Sequence, residues 1–342
     1  MYFEMNLRLM QKEIYMTRRE IGNSDLAITP IGIGAWAMGG GQWEWSWGPQ
    51  NDDDSQAAIY QGLNRGLNWI DTAAVYGLGH SETVVGRALK GMVDRPYVFT
   101  KCSLIWDDSG QISHNLQRHS IHREVEASLK RLSLEQIDLY QIHWPAWKGE
   151  PESASPGSIE EAVGALAELQ QQGKIRYIGV SNFDTAQLKR ALAVAPISSL
   201  QPPYSLLERS AEKSVLPFAQ ANQVGVIVYS PMYSGLLSGA VTEERIARLA
   251  EDDWRKRNPN FQQPLLSQNL RLVETLRNIG SAHGLSAGEV AIAWTLRNPA
   301  VTGAIVGVRT PTQVNGIIGA ATLRLSGEEL FEIERGLALE AA

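Results

Sequence analysis

Residues 69–82, WIDTAAVYGLGHSE, join an apolar run to a helical pattern through a polar loop. The apolar run ends at Ile70, Asp71 follows at once, and Tyr76 stands five residues after the acid. A short apolar run bounded by turn residues is typical of a buried strand, and the pattern over 82–90 is typical of an amphipathic helix. This stretch therefore predicts one strand–loop–helix unit that carries an acid and a tyrosine in its loop.

The same unit recurs along the chain. An N-terminal β-hairpin is predicted over 19–31, with turn residues at 22–24. Eight strands are predicted after it, at 31–36, 67–70, 97–101, 137–143, 176–180, 198–201, 224–229 and 303–306. Amphipathic helices are predicted between most of these strands, at 54–66, 82–90, 121–132, 159–172, 185–194 and 214–222. This alternation predicts parallel strands with right-handed crossovers, and its simplest closure is a (β/α)8 TIM barrel, an α/β fold.

The composition is that of an ordinary globular protein. Its 342 residues are 44% hydrophobic, and a formal net charge of −6 without a basic stripe disfavours nucleic acid as a partner. The single cysteine, Cys102, excludes an internal disulfide and fits a reducing compartment. No apolar run reaches membrane-spanning length, and residues 1–16 lack a signal-peptide core, so we expect a cytoplasmic protein without a membrane partner. We expect one barrel domain over 17–340 after an N-terminal extension over 1–16; the composition predicts no particular oligomeric state.

Three stretches are too long to be plain connections: 39–53, 144–158 and 230–264. Each follows a predicted strand, and long loops in a compact domain are commonly functional. Since active sites of such barrels lie at the carboxyl ends of the strands, we expect long loops on that face.

Ionisable residues stand where three neighbouring predicted strands end. Asp71 follows the second strand, with Tyr76 in the next loop, Lys101 ends the third strand and His143 ends the fourth. Each residue alone has a structural explanation, as a turn acid, a packed aromatic, a solvated lysine or a hydrogen-bonded core histidine. A lysine beside a core needs a carboxylate partner, and Asp71 lies one strand away. Together the four residues favour a shared site.

The four groups have the chemistry of a proton-donating device. A tyrosine hydroxyl, with an ordinary pKa of about 10, is a weak acid at neutral pH. A nearby ammonium is expected to lower the pKa of Tyr76, with Asp71 holding Lys101 in place. His143 could hydrogen-bond a substrate oxygen. Such a set would polarise a carbonyl group and protonate it as a hydride arrives.

At these positions the chain resembles the aldo-keto reductases. The motifs DTAAVYG (71–77), FTK (99–101) and IHWP (142–145) match the family's catalytic tetrad in order and context. Later motifs also match, namely GHSETVVGRAL (79–89), GKIRYIGVSNF (173–183), QPPYSLL (201–207), VYSPM (228–232) and IVGVRTPTQV (305–314). The resemblance runs from about Arg18 to about Leu337. It is nearest to the bacterial general stress and inositol-operon type reductases.

The resemblance implies NADP(H)-dependent reduction of aldehydes or ketones to alcohols, with Tyr76 as proton donor. The cofactor would lie across the barrel mouth, so the glycine-rich stretch 32–41 would be a barrel strand and its loop; its spacing is not that of the G-x-G-x-x-G fingerprint. The resemblance places these residues at the nicotinamide end: Ala35, Trp36, Asp71, Ser181, Asn182, Gln201 and Tyr229. It places these at the diphosphate and adenosine end: Ser230, Pro231, Met232, Ser234, Arg255, Gly307, Val308, Arg309 and Gln313.

Individual roles also follow from the resemblance. Ser181, Asn182 and Gln201 would bind the carboxamide, and Tyr229 would stack on the nicotinamide ring. Arg309 would meet the 2′-phosphate, which favours NADP(H) over NAD(H). Ala240 stands where relatives often carry a lysine, and Ile317 where many carry an asparagine, so two cofactor contacts are expected to be missing or weaker.

Two other functions compete with this interpretation. One is an NADP(H)-binding regulatory subunit, similar to the channel-associated members of the fold. The complete tetrad favours turnover over this function, although one protein could have both. The other is a metal-dependent barrel hydrolase, disfavoured because no H-x-H pair or carboxylate cluster stands at the strand ends; no metal site is expected.

The substrate pocket depends on the loop tryptophans, which either pack at the rim or form an aromatic wall suited to aromatic or aliphatic aldehydes. They are Trp43, Trp45, Trp47, Trp106, Trp144 and Trp147.

Overall fold

Eight parallel strands close into a barrel in the computed structural model, which describes residues 16–41, 43–147, 149–249 and 253–338. The strands in chain order are β1 (Arg19–Glu20), β2 (Ala27–Ile28), β3 (Ile31–Gly34), β4 (Trp69–Asp71), β5 (Tyr97–Cys102), β6 (Leu104–Trp106), β7 (Ile112–His114), β8 (Ile137–Ile142), β9 (Ile175–Ser181), β10 (Ser199–Gln201), β11 (Gly225–Val228) and β12 (Val301–Gly307). Around the barrel the order is β3, β4, β5, β8, β9, β10, β11 and β12, and β12 pairs with β3. The predicted (β/α)8 barrel is confirmed.

Helices surround the barrel and bury their apolar faces against it in one large cluster. They are α1 (Asp52–Asn64), α2 (His80–Leu89), α3 (Arg118–Leu132), α4 (Ile159–Gln171), α5 (Thr185–Val194), α6 (Val215–Ala221), α7 (Glu243–Ala247), α8 (Leu265–His283), α9 (Ala287–Leu296), α10 (Pro311–Asn315) and α11 (Gly327–Ala338). The Asn51 side chain caps α1 by accepting hydrogen bonds from the backbone of Asp53 and Asp54. The acidic run therefore begins a helix, where the helix dipole favours negative charge.

The β1–β2 hairpin covers the amino-terminal end of the barrel. Its Thr29 backbone N–H donates to Asn68 Oδ1, 2.8 Å away, just before β4. Trp69 fills this end of the barrel, and a Cβ on Gly32 would lie 2.2 Å from its ring, so glycine is required there. The hairpin and barrel residues form one buried cluster of Ile21, Leu26, Ile28, Trp69, Phe99, Leu139, Ile227 and Ile305. Because this end is filled, the carboxyl ends of the strands form the open face.

The eight predicted strands and the N-terminal hairpin all overlap observed strands. The antiparallel β6–β7 hairpin, between β5 and α3, was not predicted because its three-residue strands are too short for a periodicity signal. The long stretches 39–53, 144–158 and 230–264 follow β3, β8 and β11, as expected. Residues 1–15 of the predicted extension lie outside the described residues. None of the described helices is long and apolar enough to span a membrane.

Candidate active site

Asp71 and Lys101 form a buried ion pair at the carboxyl ends of the adjacent strands β4 and β5. Lys101 Nζ lies 2.5 Å from Asp71 Oδ1 and donates a second hydrogen bond to the Thr72 carbonyl at 2.8 Å. Both side chains are almost fully excluded from solvent. Asp71 is thus the carboxylate partner that the sequence predicted for Lys101.

Tyr76 meets this ion pair from the loop between β4 and α2. Its hydroxyl oxygen lies 3.3 Å from Lys101 Nζ, which completes three hydrogen bonds from the ammonium. The loop packs tightly on the loop after β3, since a Cβ on Gly77 would lie 2.1 Å from the Gly39 carbonyl oxygen. Gly77 also has a φ of 62°, which favours glycine. Close backbone contact therefore holds the tyrosine in place.

His143 follows β8 and faces Tyr76, with ring centroids 5.7 Å apart and an interplanar angle of 76°. Its backbone carbonyl accepts a hydrogen bond from Asn182 Nδ2 at 2.9 Å. The next carbonyl, of Trp144, lies 2.8 Å from Nε2 of His114, a buried residue on β7. None of the hydrogen bonds among the described residues involves the His143 imidazole, which borders the cleft. The tetrad predicted from sequence is therefore assembled in one place.

Burial is the largest influence on the pKa values of Tyr76, Lys101 and His143. Burial raises the pKa of Tyr76 well above 10, and the charge of Asp71 raises it further. Burial lowers the pKa of Lys101, which Asp71 opposes, and burial together with Lys101 lowers the pKa of His143 well below 6.5. The net shift in the pKa of Tyr76 is therefore upward, opposite to the shift expected from Lys101 alone, because burial and the charge of Asp71 both raise it. Tyr76 is thus a protonated phenol and His143 a neutral imidazole at neutral pH.

Gln141 belongs to this site and was missed from sequence. Asp71 Oδ2 accepts hydrogen bonds from Gln201 Nε2 at 2.9 Å and from Gln141 Nε2 at 3.3 Å, and Gln201 Nε2 also donates to Gln141 Oε1 at 3.1 Å. The signal was a polar residue within the apolar strand IDLYQI, where Gln141 lies opposite Lys101 in the β5–β8 register. Both carboxylate oxygens of Asp71 are therefore held by hydrogen bonds.

The predicted carboxamide ligands form a hydrogen-bonded network beside the tetrad. Tyr229 hydroxyl donates to Asn182 Oδ1 at 2.9 Å, and Asn182 Nδ2 also lies 3.1 Å from Ser181 Oγ. Ser181 Oγ donates to the Gln201 carbonyl at 2.8 Å. Asn182 has a φ of 61°, a left-handed conformation that asparagine tolerates better than most residues. The ends of β9, β10 and β11 are thus joined through these side chains.

One cleft of about 920 Å³ joins the tetrad to the predicted cofactor residues. Tyr76 and His143 line it, and Lys101 lies buried below. Val308 does not line the cleft, because its side chain is buried in the core. The other predicted cofactor residues all line it: Ala35, Trp36, Asp71, Ser181, Asn182, Gln201, Tyr229, Ser230, Pro231, Met232, Ser234, Arg255, Gly307, Arg309 and Gln313.

The turn after β11 contains several residues in the left-handed conformation. Ser230, Tyr233 and Ser234 have φ values of 55°, 46° and 54°, and Gly235 has a φ of 88°. A left-handed conformation costs a non-glycine residue about 1–3 kcal/mol and is concentrated at ligand clamps. This turn borders the cleft on the side predicted for the diphosphate.

Two predicted cofactor arginines already have protein partners. Arg255 makes two hydrogen bonds to the carboxylate of Asp253, at 2.6 and 3.0 Å, and lies 4.8 Å above the Trp47 ring. Arg309 Nε donates to Gln50 Oε1 at 2.6 Å, and Arg309 Nη2 donates to the Pro49 carbonyl. Burial and the charge of Arg255 lower the pKa of Arg309. Because Asp253 compensates the charge of Arg255, the uncompensated positive charge here is that of Arg309.

A third arginine in the cleft, Arg245 on α7, was not singled out from sequence. It lines the cleft together with Ala240 and donates a hydrogen bond to the Ala240 carbonyl at 3.1 Å. Ile317 lines the cleft as well. Both departures from the family pattern therefore lie at the cleft surface, and Arg245 brings a positive charge to the place where Ala240 has none.

The part of the cleft around Tyr76 is aromatic. Trp36 lies parallel to Tyr76 with ring centroids 6.2 Å apart, and Trp43 is 6.1 Å from the same ring. Trp106 does not line the cleft; Arg131 lies 5.6 Å from its ring instead. The lining tryptophans are Trp36, Trp43, Trp45, Trp47, Trp144 and Trp147. Of the two arrangements that the sequence left open for the loop tryptophans, the aromatic wall is the one observed, and Trp106 is not part of it.

Among the described residues, no group of three or more His, Cys, Asp or Glu side chains could hold a metal ion.

A family model described as "Aldo/keto reductase family" matches residues 30–337. The chain is 37% identical over 321 residues to aldo-keto reductase YhdN of Bacillus subtilis (strain 168), which covers 93% of this chain and 92% of that protein. It is 33% identical over 326 residues to the NADH-specific methylglyoxal reductase of Escherichia coli (strain K12). This match covers 91% of this chain and 95% of that protein. Its structure is similar to that of the glycerol dehydrogenase AKR11B4 from Gluconobacter oxydans, with a TM-score of 0.84 and 36% sequence identity. The match covers 96% of this chain and 97% of that chain.

Proposed function

Because the chain belongs to the aldo/keto reductase family, we propose that it is an NADP(H)-dependent oxidoreductase that reduces aldehydes or ketones to alcohols, with Tyr76 as the proton donor. The family is one of oxidoreductases that use nicotinamide cofactors on carbonyl compounds. The observation that carries the finer proposal is the assembly of Tyr76, Lys101 and Asp71 through contacts of 3.3 and 2.5 Å, with His143 facing the tyrosine ring.

Bound NADP(H) would supply the hydride. Tyr76, protonated at neutral pH, would donate its proton to the carbonyl oxygen, and His143 would hydrogen-bond the same oxygen as a neutral imidazole. Negative charge would then develop on the Tyr76 oxygen, 3.3 Å from the Lys101 ammonium. The Lys101 ammonium would stabilise this phenolate, and the attraction between the two charges is stronger where water is excluded. The burial that keeps Tyr76 protonated before the reaction therefore also strengthens the stabilisation of the phenolate by Lys101.

The preference for NADP(H) rests on this chain's own residues. One relative is an NADH-specific enzyme, so family membership does not decide between the cofactors. Arg309 and Arg255 line the cleft beside Trp47, and guanidinium groups bind phosphate through paired N–H donors. An uncharged 2′-hydroxyl would gain little from this positive charge. The arginines therefore support binding of a 2′-phosphate.

The substrate class follows from the part of the cleft around Tyr76. Trp36 and Trp43 contact Tyr76, and Trp45 packs on Trp147 with ring centroids 5.5 Å apart. An apolar, flat-walled pocket with few polar groups favours aromatic and aliphatic aldehydes over polyhydroxylated substrates. We propose such aldehydes as the preferred substrates.

Wild type and Tyr76→Phe should be compared with 4-nitrobenzaldehyde and NADPH, following absorbance at 340 nm and, separately, NADPH binding. We expect turnover in wild type and loss of turnover in Tyr76→Phe, with NADPH binding retained. Tyr60→Phe, on the outer helix α1, is the matched control and should turn over like wild type. Turnover by Tyr76→Phe at the wild-type rate would refute the role of Tyr76. NADPH binding without turnover of any aldehyde in wild type would favour the regulatory-subunit function instead.

A further inference from the structure

Gln50 and Arg309 are hydrogen-bonded in both directions. Gln50 Oε1 accepts from Arg309 Nε at 2.6 Å, and Gln50 Nε2 donates to the Arg309 backbone carbonyl at 2.9 Å. Gln50 Nε2 also lies 3.0 Å from Ser55 Oγ on α1. The two residues are 259 positions apart in the chain, so this contact ties the loop after β3 to the loop after β12.

The partners that hold the Arg309 guanidinium are uncharged. Besides Gln50, they are the backbone carbonyls of Trp47 and Pro49. Within the described ranges no carboxylate forms an ion pair with Arg309, whereas the neighbouring Arg255 is paired with Asp253. Arg309 is therefore fixed in position while its full positive charge stays available to an anion. A guanidinium with these properties is preorganised for a phosphate group.

We propose that Gln50 is a positioning residue for cofactor selection, which holds Arg309 for the 2′-phosphate without neutralising it. This inference rests on the proposed NADP(H) function. The positioning role requires an amide at position 50, since a carboxylate of nearly the same shape would pair with Arg309 and repel the phosphate. The side chain of Gln50 would thereby set the preference for NADP(H) although Arg309 makes the contact.

The same contact connects the cofactor end of the cleft to the substrate end. Gln50 ends the tryptophan loop, residues 43–50, in which Trp47 lies 5.8 Å from Trp36 by ring centroids, and Trp36 packs on Tyr76. Arg309 Nη1 is 3.5 Å from the Trp47 carbonyl. Loss of the Gln50 side chain should therefore also loosen the aromatic wall, and raise the KM for an aromatic aldehyde more than it lowers kcat.

The direct test is calorimetric binding of two probes that differ only in the 2′-phosphate, 2′,5′-ADP and 5′-AMP. For Gln50→Ala we expect the Kd of 2′,5′-ADP to rise about fivefold, as for loss of one or two hydrogen bonds. For Gln50→Glu we expect a rise of more than about tenfold, because a carboxylate competes for Arg309. The Kd of 5′-AMP should stay within about twofold in both variants. Gln56 lies on α1, and its amide donates to the Asp52 carbonyl. Gln56→Ala and Gln56→Glu are the matched controls and should change neither Kd.

Three results would overturn the inference: an unchanged Kd for 2′,5′-ADP in Gln50→Ala, equal weakening of both probes, or Gln50→Glu binding as well as Gln50→Ala. Failure of the proposed cofactor is seen separately, in wild type and Arg309→Ala. If wild type bound 2′,5′-ADP no more tightly than 5′-AMP, the NADP(H) preference itself would be refuted, and the role of Gln50 with it. If Arg309→Ala lost 2′,5′-ADP binding while both Gln50 variants kept it, only the role of Gln50 would be refuted.

Discussion

Lys101 Nζ lies 2.5 Å from Asp71 Oδ1, and both side chains are buried at the ends of neighbouring barrel strands. Removing one partner of a buried pair leaves a charge that water cannot reach, which costs more than the pair itself contributes. The stability of the barrel and the chemistry of Tyr76 therefore depend on the same contact.

Asp71→Asn keeps the shape of the side chain and removes its charge. We expect the free energy of unfolding to fall by about 3–5 kcal/mol, because Lys101 is left as an unpaired buried charge. Urea denaturation measures this change. Arg277→Gln, which breaks an exposed pair with Glu274, is the control and should cost less than about 1 kcal/mol. Adding Lys101→Met to Asp71→Asn should recover stability but not turnover; no recovery would contradict the charge explanation.

Glu124 on α3 should make the protein less stable as pH rises. Burial raises the pKa of Glu124 to about 8, although Ser103 N and Ser120 Oγ both donate hydrogen bonds to it. Because the unfolded carboxyl ionises near pH 4.5 and the folded one near 8, the folded state binds the extra proton between these values. The stabilising effect is complete below pH 4.5 and is lost as pH rises to 8, by at most about 1.4 kcal/mol per pH unit.

The measurement is the free energy of unfolding at pH 5, 6.5 and 8 for wild type and Glu124→Gln. Glu124→Gln has no carboxyl to ionise at this position, so its stability relative to wild type should increase steadily across the series. Parallel pH profiles for the two proteins would show that Glu124 does not titrate in this range.

Arg309 and Arg245 should affect cofactor binding in different ways. Arg309→Ala removes the proposed 2′-phosphate contact, so the KM for NADPH should rise about 10- to 100-fold with little change for NADH. Arg245→Ala removes a cleft charge beside Ala240, near the proposed diphosphate turn, and should raise the KM for both cofactors to a similar extent. Steady-state kinetics at saturating aldehyde distinguish the two. A selective NADPH effect of Arg245→Ala, or an equal effect of Arg309→Ala on both cofactors, would contradict these assignments.

Trp45 should contribute to aldehyde binding. It lines the cleft and packs on Trp147, so Trp45→Ala should raise the KM for 4-nitrobenzaldehyde about fivefold while changing kcat much less. The KM for glyceraldehyde, which offers no aromatic ring, should change less. Trp106→Leu removes a tryptophan outside the cleft and should leave both KM values at wild-type levels. Equal effects of the two substitutions would indicate general loosening of the rim.

Local sequence pattern was sufficient for the barrel and the tetrad. Alternating strand and helix periods predicted the eight strands, and parallel strands bring their carboxyl ends to one face. Asp71, Lys101 and His143 each directly follow or end an apolar run, so their meeting followed from topology. The Asp71–Lys101 pair was predictable for the same reason, since adjacent strand ends and the cost of an unpaired buried lysine leave few alternatives.

Tertiary structure alone decided what depends on contacts between distant segments. Gln141 on Asp71, His114 behind Trp144 and Gln50 on Arg309 join parts of the chain that no short-range periodicity relates. The direction of the Tyr76 pKa shift was predicted wrongly, because it depends on how much water is excluded and on the charge of Asp71. Sequence determined which chemical groups reach the open face of the barrel, since side-chain period and strand direction are local. Packing decided their charge states, their partners and the walls of the cleft, since desolvation and hydrogen bonding depend on the distances that the whole fold sets.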